Sequence, residues 1–277
     1  MKVARREFYN VSRSDEWHLY PIGDVHLGNA GCDEALLRQV VAAIAADDKA
    51  LWVGLGDMAE FINVSDPRFS IDGLAKWVKV MHLADLAKAQ ITRLLDILEP
   101  IAGKCLALIE GNHEDSIHRH TERDVYSEIV TGIKERGKFA ADHTLGLGYS
   151  GWLMLHFYRS EEKRHATTIR INLHHGYSSG RKMGGKANAM QDRMLSHDAD
   201  LCIMGHCHDE MALPVAVETV RGDKVVKDYR KGCFSGTFLD TAEYAEKKGY
   251  LPQAVLQPLV LLTPGEELQK NRIRVVV

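Results

Sequence analysis

Short apolar runs recur along the chain, and five of them share one arrangement: a run rich in Leu, Ile and Val that ends at a glycine beside Asp, Asn or His. They read WHLYPIGDVHLG, ALWVGLGDM, CLALIEGNHE, IRINLHHG and DLCIMGHCH. Each has the length and branched-residue content of a buried strand. Helical patterns lie between and after the first three: 33–48, rich in Ala and Leu with acids at its start, 74–98, closed by Pro100 and Gly103, and then 122–136, ended by Gly137. Leu74, Trp77 and Met81 form the expected core stripe of the second of these. Residues 58–73 carry turn formers and read as a loop.

Strand and helix therefore alternate through the first half, which predicts a parallel sheet with right-handed crossovers. Residues 144–173 look instead like antiparallel strands around tight turns, and a short helix is expected near 188–197. From 213 onward mainly strands are expected, with a hairpin at Gly222-Asp223. The fold class is α/β. The expected organisation is a single domain over 1–277, with a ligand-bearing core at about 18–210 and a strand-rich part, 211–277, completing a second sheet.

Composition narrows this only slightly. The 277 residues are 45% hydrophobic with a formal net charge of -3, as in an ordinary globular protein. That charge gives no global attraction for nucleic acid, so anion binding has to come from a local patch or from metal ions. The N-terminus, MKVARREFYN, lacks an apolar segment of secretory type, and no run reaches the length needed to span a bilayer. Five cysteines without a C-x-x-C pair suggest reduced thiols, and the expected location is cytoplasmic.

The strand ends hold the chemistry. Asp24 and His26, Asp57, Asn112 and His113, His174 and His175, and His206 and His208 would meet at the carboxyl ends of one sheet, where ligands gather in open α/β folds. In extended backbone Asp24 and His26 face one way, as do His206 and His208, whereas His174 and Cys207 point away. Carboxylate mixed with imidazole suits Mn²⁺, Fe, Zn²⁺ or Co²⁺ better than Mg²⁺ or Ca²⁺. Two such ions about 3.5–4 Å apart let a bridging water ionise near neutral pH and attack phosphorus.

These blocks resemble the calcineurin-like metallophosphoesterase family, whose pattern is D-x-H, G-D, G-N-H-E/D, H-G and G-H-x-H. All five stand here in order, and the general layout is similar to its exonuclease-like bacterial and phage members. The resemblance implies a four-layered α/β/β/α sandwich. It implies one metal on Asp24, His26 and His208, another on Asn112, His175 and His206, and Asp57 bridging them. His113 would act on the phosphate or the leaving oxygen without binding metal. The cofactors implied are two divalent ions, manganese first.

Outside the blocks, Glu114 and Asp115 would either orient His113 or be solvated. Arg119 and Arg123, and Arg181, Lys182 and Lys186 of a glycine-rich loop, are candidates for holding an extended anionic substrate. Tyr177 could stack on a base. The expected activity is phosphodiester hydrolysis, with nucleic acid the leading partner. The alternatives are an enzyme on a small phosphorylated molecule (a phosphomonoesterase, nucleotide pyrophosphatase or cyclic-nucleotide phosphodiesterase) and a scaffold that keeps the fold without turnover. No membrane partner is expected.

Overall fold

A computed structural model describes residues 1–64, 66–163, 167–177, 182–240, 255 and 257–277. The five ligand-bearing runs form strands β2 (Trp17–Ile22), β3 (Ala50–Gly54), β4 (Cys105–Leu108), β6 (Thr167–His174) and β7 (Leu201–Met204). They divide between two sheets. In the first sheet β2, β3 and β4 lie parallel, beside the antiparallel β10 (Leu259–Leu262) and β11 (Ile273–Val276), in the order β11-β10-β2-β3-β4. In the second the order is β1-β5-β6-β7-β9-β8, with β1 at Lys2–Phe8, β5 at Ser150–Phe157, β8 at Ala212–Arg221 and β9 at Lys224–Phe234.

Three apolar layers explain the stacking. Leu19 and Val53 of the first sheet meet Leu153, Ile171 and Ile203 of the second, so the sheets face one another across a dry core. The other face of the first sheet carries Ile22 and Trp52, covered by α1 (Glu34–Ala46), α2 (Leu86–Leu98) and α4 (Val125–Arg136). Cys202 and Met204 on the outer face of the second sheet are covered by Met190 and Met194 of α5 (Met183–Ser196). The result is the four-layered α/β/β/α sandwich. At full burial each of these side chains contributes about 1.5–3 kcal/mol.

Four expectations need correction. The segment 74–98 is not one helix. Asp85 caps α2 by accepting from the Lys88 amide at 2.9 Å, and a 3-10 turn, Val80–Asp85, precedes it. Met81 is consequently 75% exposed, outside the core that its spacing predicted. A helix not anticipated, α3 (Asn112–Thr121), follows β4 directly and takes up the GNHE block. α5 begins at Met183, ahead of the expected start at 188.

The C-terminal strands also do not all complete the second sheet. β8 and β9 do, as the hairpin expected at Gly222-Asp223. β10 and β11 instead extend the first sheet past β2, because Val260 and Leu262 alternate into the core between the sheets beside Leu19. The second sheet gains β1 in their place, paired parallel with β5. No helix of the described residues is long and apolar enough to cross a membrane.

Candidate metal centre

The carboxyl ends of β2, β3, β4, β6 and β7 open onto one place. Asp24 and His26 follow β2, Asp57 follows β3, Asn112 and His113 start α3, His175 follows β6, and His206 and His208 follow β7. The side chains do not converge through strand alternation as expected. Asp24, His26, Asp57, His206 and His208 all take left-handed backbone, with φ of 49°, 49°, 50°, 65° and 53°. For a residue with a Cβ this conformation costs about 1–2 kcal/mol. Surrounding hydrogen bonds hold it. The Asp24 amide donates to the Gly56 carbonyl at 3.0 Å, the Val25 and His26 amides to that of Asp57 at 2.9 and 3.0 Å, and the His206 amide to Asp24 Oδ2 at 2.8 Å.

Glycine lets two of these turns touch. A Cβ on Gly56 would lie 2.4 Å from the Gly111 nitrogen, and Gly56 itself has a φ of +84°. A Cβ on Gly111 would lie 2.2 Å from Asp57 Oδ1. The G-D and G-N blocks thus need both glycines so that the β3 and β4 turns can pack backbone against backbone.

Two groups of donors result, Asp24–His26–His208 and Asp57–His175–His206. In the first, His208 Nε2 lies 3.3 Å from Asp24 Oδ1 and 3.3 Å from His26 Nε2. In the second, His175 Nε2 lies 3.3 Å from Asp57 Oδ2 and 2.9 Å from Asn112 Oδ1. Asp57 faces both, because His26 Nε2 is 3.9 Å from the same Oδ2. Asp24, Asp57 and His175 are fully buried or nearly so.

Hydrogen bonds set which ring nitrogen points inward. His26 Nδ1 bonds Glu60 Oε2 at 2.9 Å, and His175 Nδ1 donates to the Leu55 carbonyl at 2.7 Å. In these neutral tautomers the Nε2 lone pairs face carboxylate, carboxamide and other imidazole atoms, an arrangement that a cation resolves. Without a cation, protons compete for the place. Burial pushes the His175 ring down, but the Asp57 and Asp24 carboxylates outweigh it and raise it to about 10. Burial likewise opposes ionisation of Asp57, yet the His175, His113 and His26 rings hold it well below the usual carboxylate range. The donor set therefore fits divalent ions.

His113 sits differently. Its amide donates to Asp57 Oδ1 at 2.8 Å, its Nδ1 to the Glu60 carbonyl at 2.5 Å, and its ring meets His26 edge-on with centroids 4.6 Å apart. Nε2 is the ring nitrogen left for a ligand. Glu60, His26 and His113 also cluster, but the His26 and His113 Nδ1 atoms are already engaged by Glu60. Glu60 therefore positions rings and does not mark a further ion.

Other side chains depart from expectation. Glu114 is neither solvated nor bonded to His113. It is buried and accepts from the amides of Asp57 at 2.9 Å, Met58 at 2.8 Å and Gly111 at 3.0 Å, clamping the two turns together. Burial and the Asp57 charge push its carboxyl up to about 7. Arg123 does not face the centre. It bonds Glu128 at 2.7 and 2.9 Å and Asp85 at 2.5 Å, tying α4 to the cap of α2. Lys186 is likewise withdrawn, its Nζ donating to the Cys207 carbonyl at 2.9 Å and to Asp209. Arg119 is largely exposed and paired with Asp115 within α3, Lys182 is exposed at the start of α5, and Arg181 lies outside the described residues. His174 Nδ1 accepts from the Gly176 amide at 2.7 Å, and Tyr177 lies edge-on to its ring. Cys207 is buried with the methionines under α5.

Sequence reasoning missed three supporting residues, Glu60, Ser235 and Thr237, and gave Glu114 a different role. Glu60 and Glu114 hold rings and turns, Ser235 Oγ donates to Asp24 Oδ2 at 3.2 Å, and Thr237 Oγ1 to the Asp24 carbonyl at 2.9 Å. Glu60, three positions after Asp57, carries the signal of an acid close to a ligand block. Ser235 and Thr237 carry none.

A scan of protein-family models gives no match, and a search of curated proteins gives none. Solved structures do match. A conserved predicted phosphoesterase from Streptococcus pneumoniae is 12% identical, with 95% of this chain and 98% of that one covered and a TM-score of 0.35. Zinc-bound Vps29 from Entamoeba histolytica is 12% identical, with 93% and 89% covered and a TM-score of 0.37. The nuclease MPE of Pseudomonas putida is 13% identical, with 93% and 87% covered and a TM-score of 0.32. At such values the chemistry has to be argued from this chain's own side chains. The two stacked sheets, the outer helices and the five ordered motif blocks meeting at one point agree with the calcineurin-like metallophosphoesterase fold that the motifs imply.

Proposed function

We propose that the chain is a dinuclear metal-dependent hydrolase of phosphodiester bonds. One observation carries this reading: Asp57 stands between two sets of inward-facing donors, 3.3 Å from His175 Nε2 and 3.9 Å from His26 Nε2. Asp24, His26 and His208 would hold one ion and Asn112, His175 and His206 the other, with Asp57 shared. Imidazole, carboxamide and carboxylate together favour Mn²⁺, Fe, Zn²⁺ or Co²⁺, and Mn²⁺ is the first to test. Such ions supply Lewis acidity at phosphoryl oxygen and lower the pKa of water.

The chain's own residues do the positioning. Glu60 and Leu55 orient the His26 and His175 rings, Glu114 locks the Asp57 turn, and Ser235 and Thr237 fix Asp24. His113, anchored through its amide and Nδ1, presents Nε2 to a phosphate oxygen, where it can stabilise developing charge or hold the proton destined for the leaving oxygen.

Charge favours a diester over a monoester. A diester carries one negative charge and a monoester up to two. Arg119, Arg123 and Lys186 already face carboxylates, so none of these three cations is left to clamp a dianion. Nucleic acid is the first diester to try.

The test is hydrolysis of bis(4-nitrophenyl) phosphate and 4-nitrophenyl phosphate by metal-stripped protein titrated with Mn²⁺. Diester hydrolysis rising towards two equivalents is expected. Faster monoester hydrolysis would replace the reading with a phosphatase. No hydrolysis with two ions bound would remove it in favour of a scaffold.

A further inference from the structure

A cleft of about 470 Å³ opens at the far end of the second sheet, around the amino ends of β6 and β7. Arg170 on its wall is five residues before His175, about 17 Å along an extended strand, so the cleft is separate from the candidate centre.

Its charges divide into paired and unpaired groups. Arg170 is engaged by Asp198 and Asp200, and Arg221 by Asp228, and these charges offset one another. Lys231 and Lys270 face no carboxylate among the described residues. Among the described residues Arg272 donates only to backbone carbonyls, of Glu266 at 2.8 Å and Glu267 at 3.4 Å. Against these three cations the lining holds one carboxylate without a cationic partner, that of Glu267.

The site is also held in shape. Gln269 Oε1 accepts from the Tyr229 amide at 3.1 Å and its Nε2 donates to Asp200 at 3.3 Å, which pins the 3-10 turn Gln269–Asn271 against the sheet. Lys270 and Arg272 are thereby carried on anchored backbone opposite Lys231. Tyr229, 37% exposed and two residues before Lys231 on the same face of β9, offers an aromatic surface beside the cations.

We propose that this cleft is a second binding site, for a phosphate-bearing anion of nucleotide size. Lys231, Lys270 and Arg272 take the phosphates and Tyr229 packs against the ring. The volume suits such a ligand, and guanidinium with ammonium is the pairing that recognises phosphate oxygens. The phosphates can come from a free nucleotide or from a phosphodiester strand that also reaches the metal centre. The second source rests on the phosphodiesterase reading; the first does not.

The protein is titrated calorimetrically with a nucleoside diphosphate and with a single-stranded oligonucleotide, both in excess chelator. No ion is then present to hold phosphate at the metal centre, and no strand is cleaved. In Lys231→Ala/Lys270→Ala, binding of at least one probe is expected to weaken tenfold or more, with the melting temperature unchanged. Tyr229→Leu should weaken the nucleoside diphosphate and leave inorganic pyrophosphate unaffected. A loss confined to the nucleotide assigns a free ligand, and a loss confined to the oligonucleotide assigns the strand. If the double variant binds both probes as the parent does, or the parent binds neither at millimolar concentration, the site is overturned, whatever the outcome at the metals.

Discussion

Asp57 is occupied on both oxygens, Oδ1 by the His113 amide and Oδ2 by the facing rings. Asp57→Asn keeps the shape but removes the charge between the donor sets. It is expected to lose one metal equivalent and at least a hundredfold in kcat, read by metal analysis beside the diester assay. His113→Ala should separate the two effects, retaining both equivalents while turnover falls about 10²–10⁴-fold. Loss of metal in that variant would make His113 a ligand after all. Glu60→Ala frees the His26 ring, and Mn²⁺ affinity should drop about 10–100-fold without loss of fold. An unchanged titration would show that Glu60 does not orient the ring.

Arg123 links elements without touching the centre. Its partners Asp85 and Glu128 have side chains 47% and 42% exposed, so solvent screens the link to about 1 kcal/mol or less. Arg123→Ala should therefore shift the melting temperature slightly and leave kcat/KM of the diester unchanged; a fall in kcat/KM would restore it as a substrate contact. Its expected role failed because Asp85 lies 38 residues away, and sequence spacing does not reveal such a partner. Lys186 failed in the same way, with Asp209 23 residues distant. The donor-bearing strands were legible because each apolar run ends beside a glycine, before the Asp, Asn or His in four of them and after His174 and His175 in β6. β1 was not, since in KVARREF only Ala4 is buried and the charges suit an edge strand. The Leu74–Trp77–Met81 spacing misled because the Asp85 cap starts the helix later. Alternation placed Asp24 and His26 on one side for the wrong reason, as their left-handed turns leave no trace in a hydrophobic pattern.

At the scale of the molecule, the candidate centre joins both sheets, because β2, β3 and β4 carry potential donors from one and β6 and β7 from the other. Bound ions should stabilise the whole fold by mass action, by about 2.7 kcal/mol at a hundred times Kd. Chelator is expected to lower the melting temperature, and Mn²⁺ to restore it in wild type but incompletely in Asp57→Asn. Equal melting with and without Mn²⁺ would mean that the ions do not brace the sheets. The Asp24 carboxylate is met by the His206 amide 182 residues later and by Ser235 211 residues later. On the ribosome, β2 and β3 can emerge and pair long before their distant partners are synthesised. During that interval Asp24 and Asp57 are exposed acids with almost no hold on a cation. The donor set is therefore complete only once His206 and His208 have joined it, and the earlier strands alone gather too few donors to hold an ion.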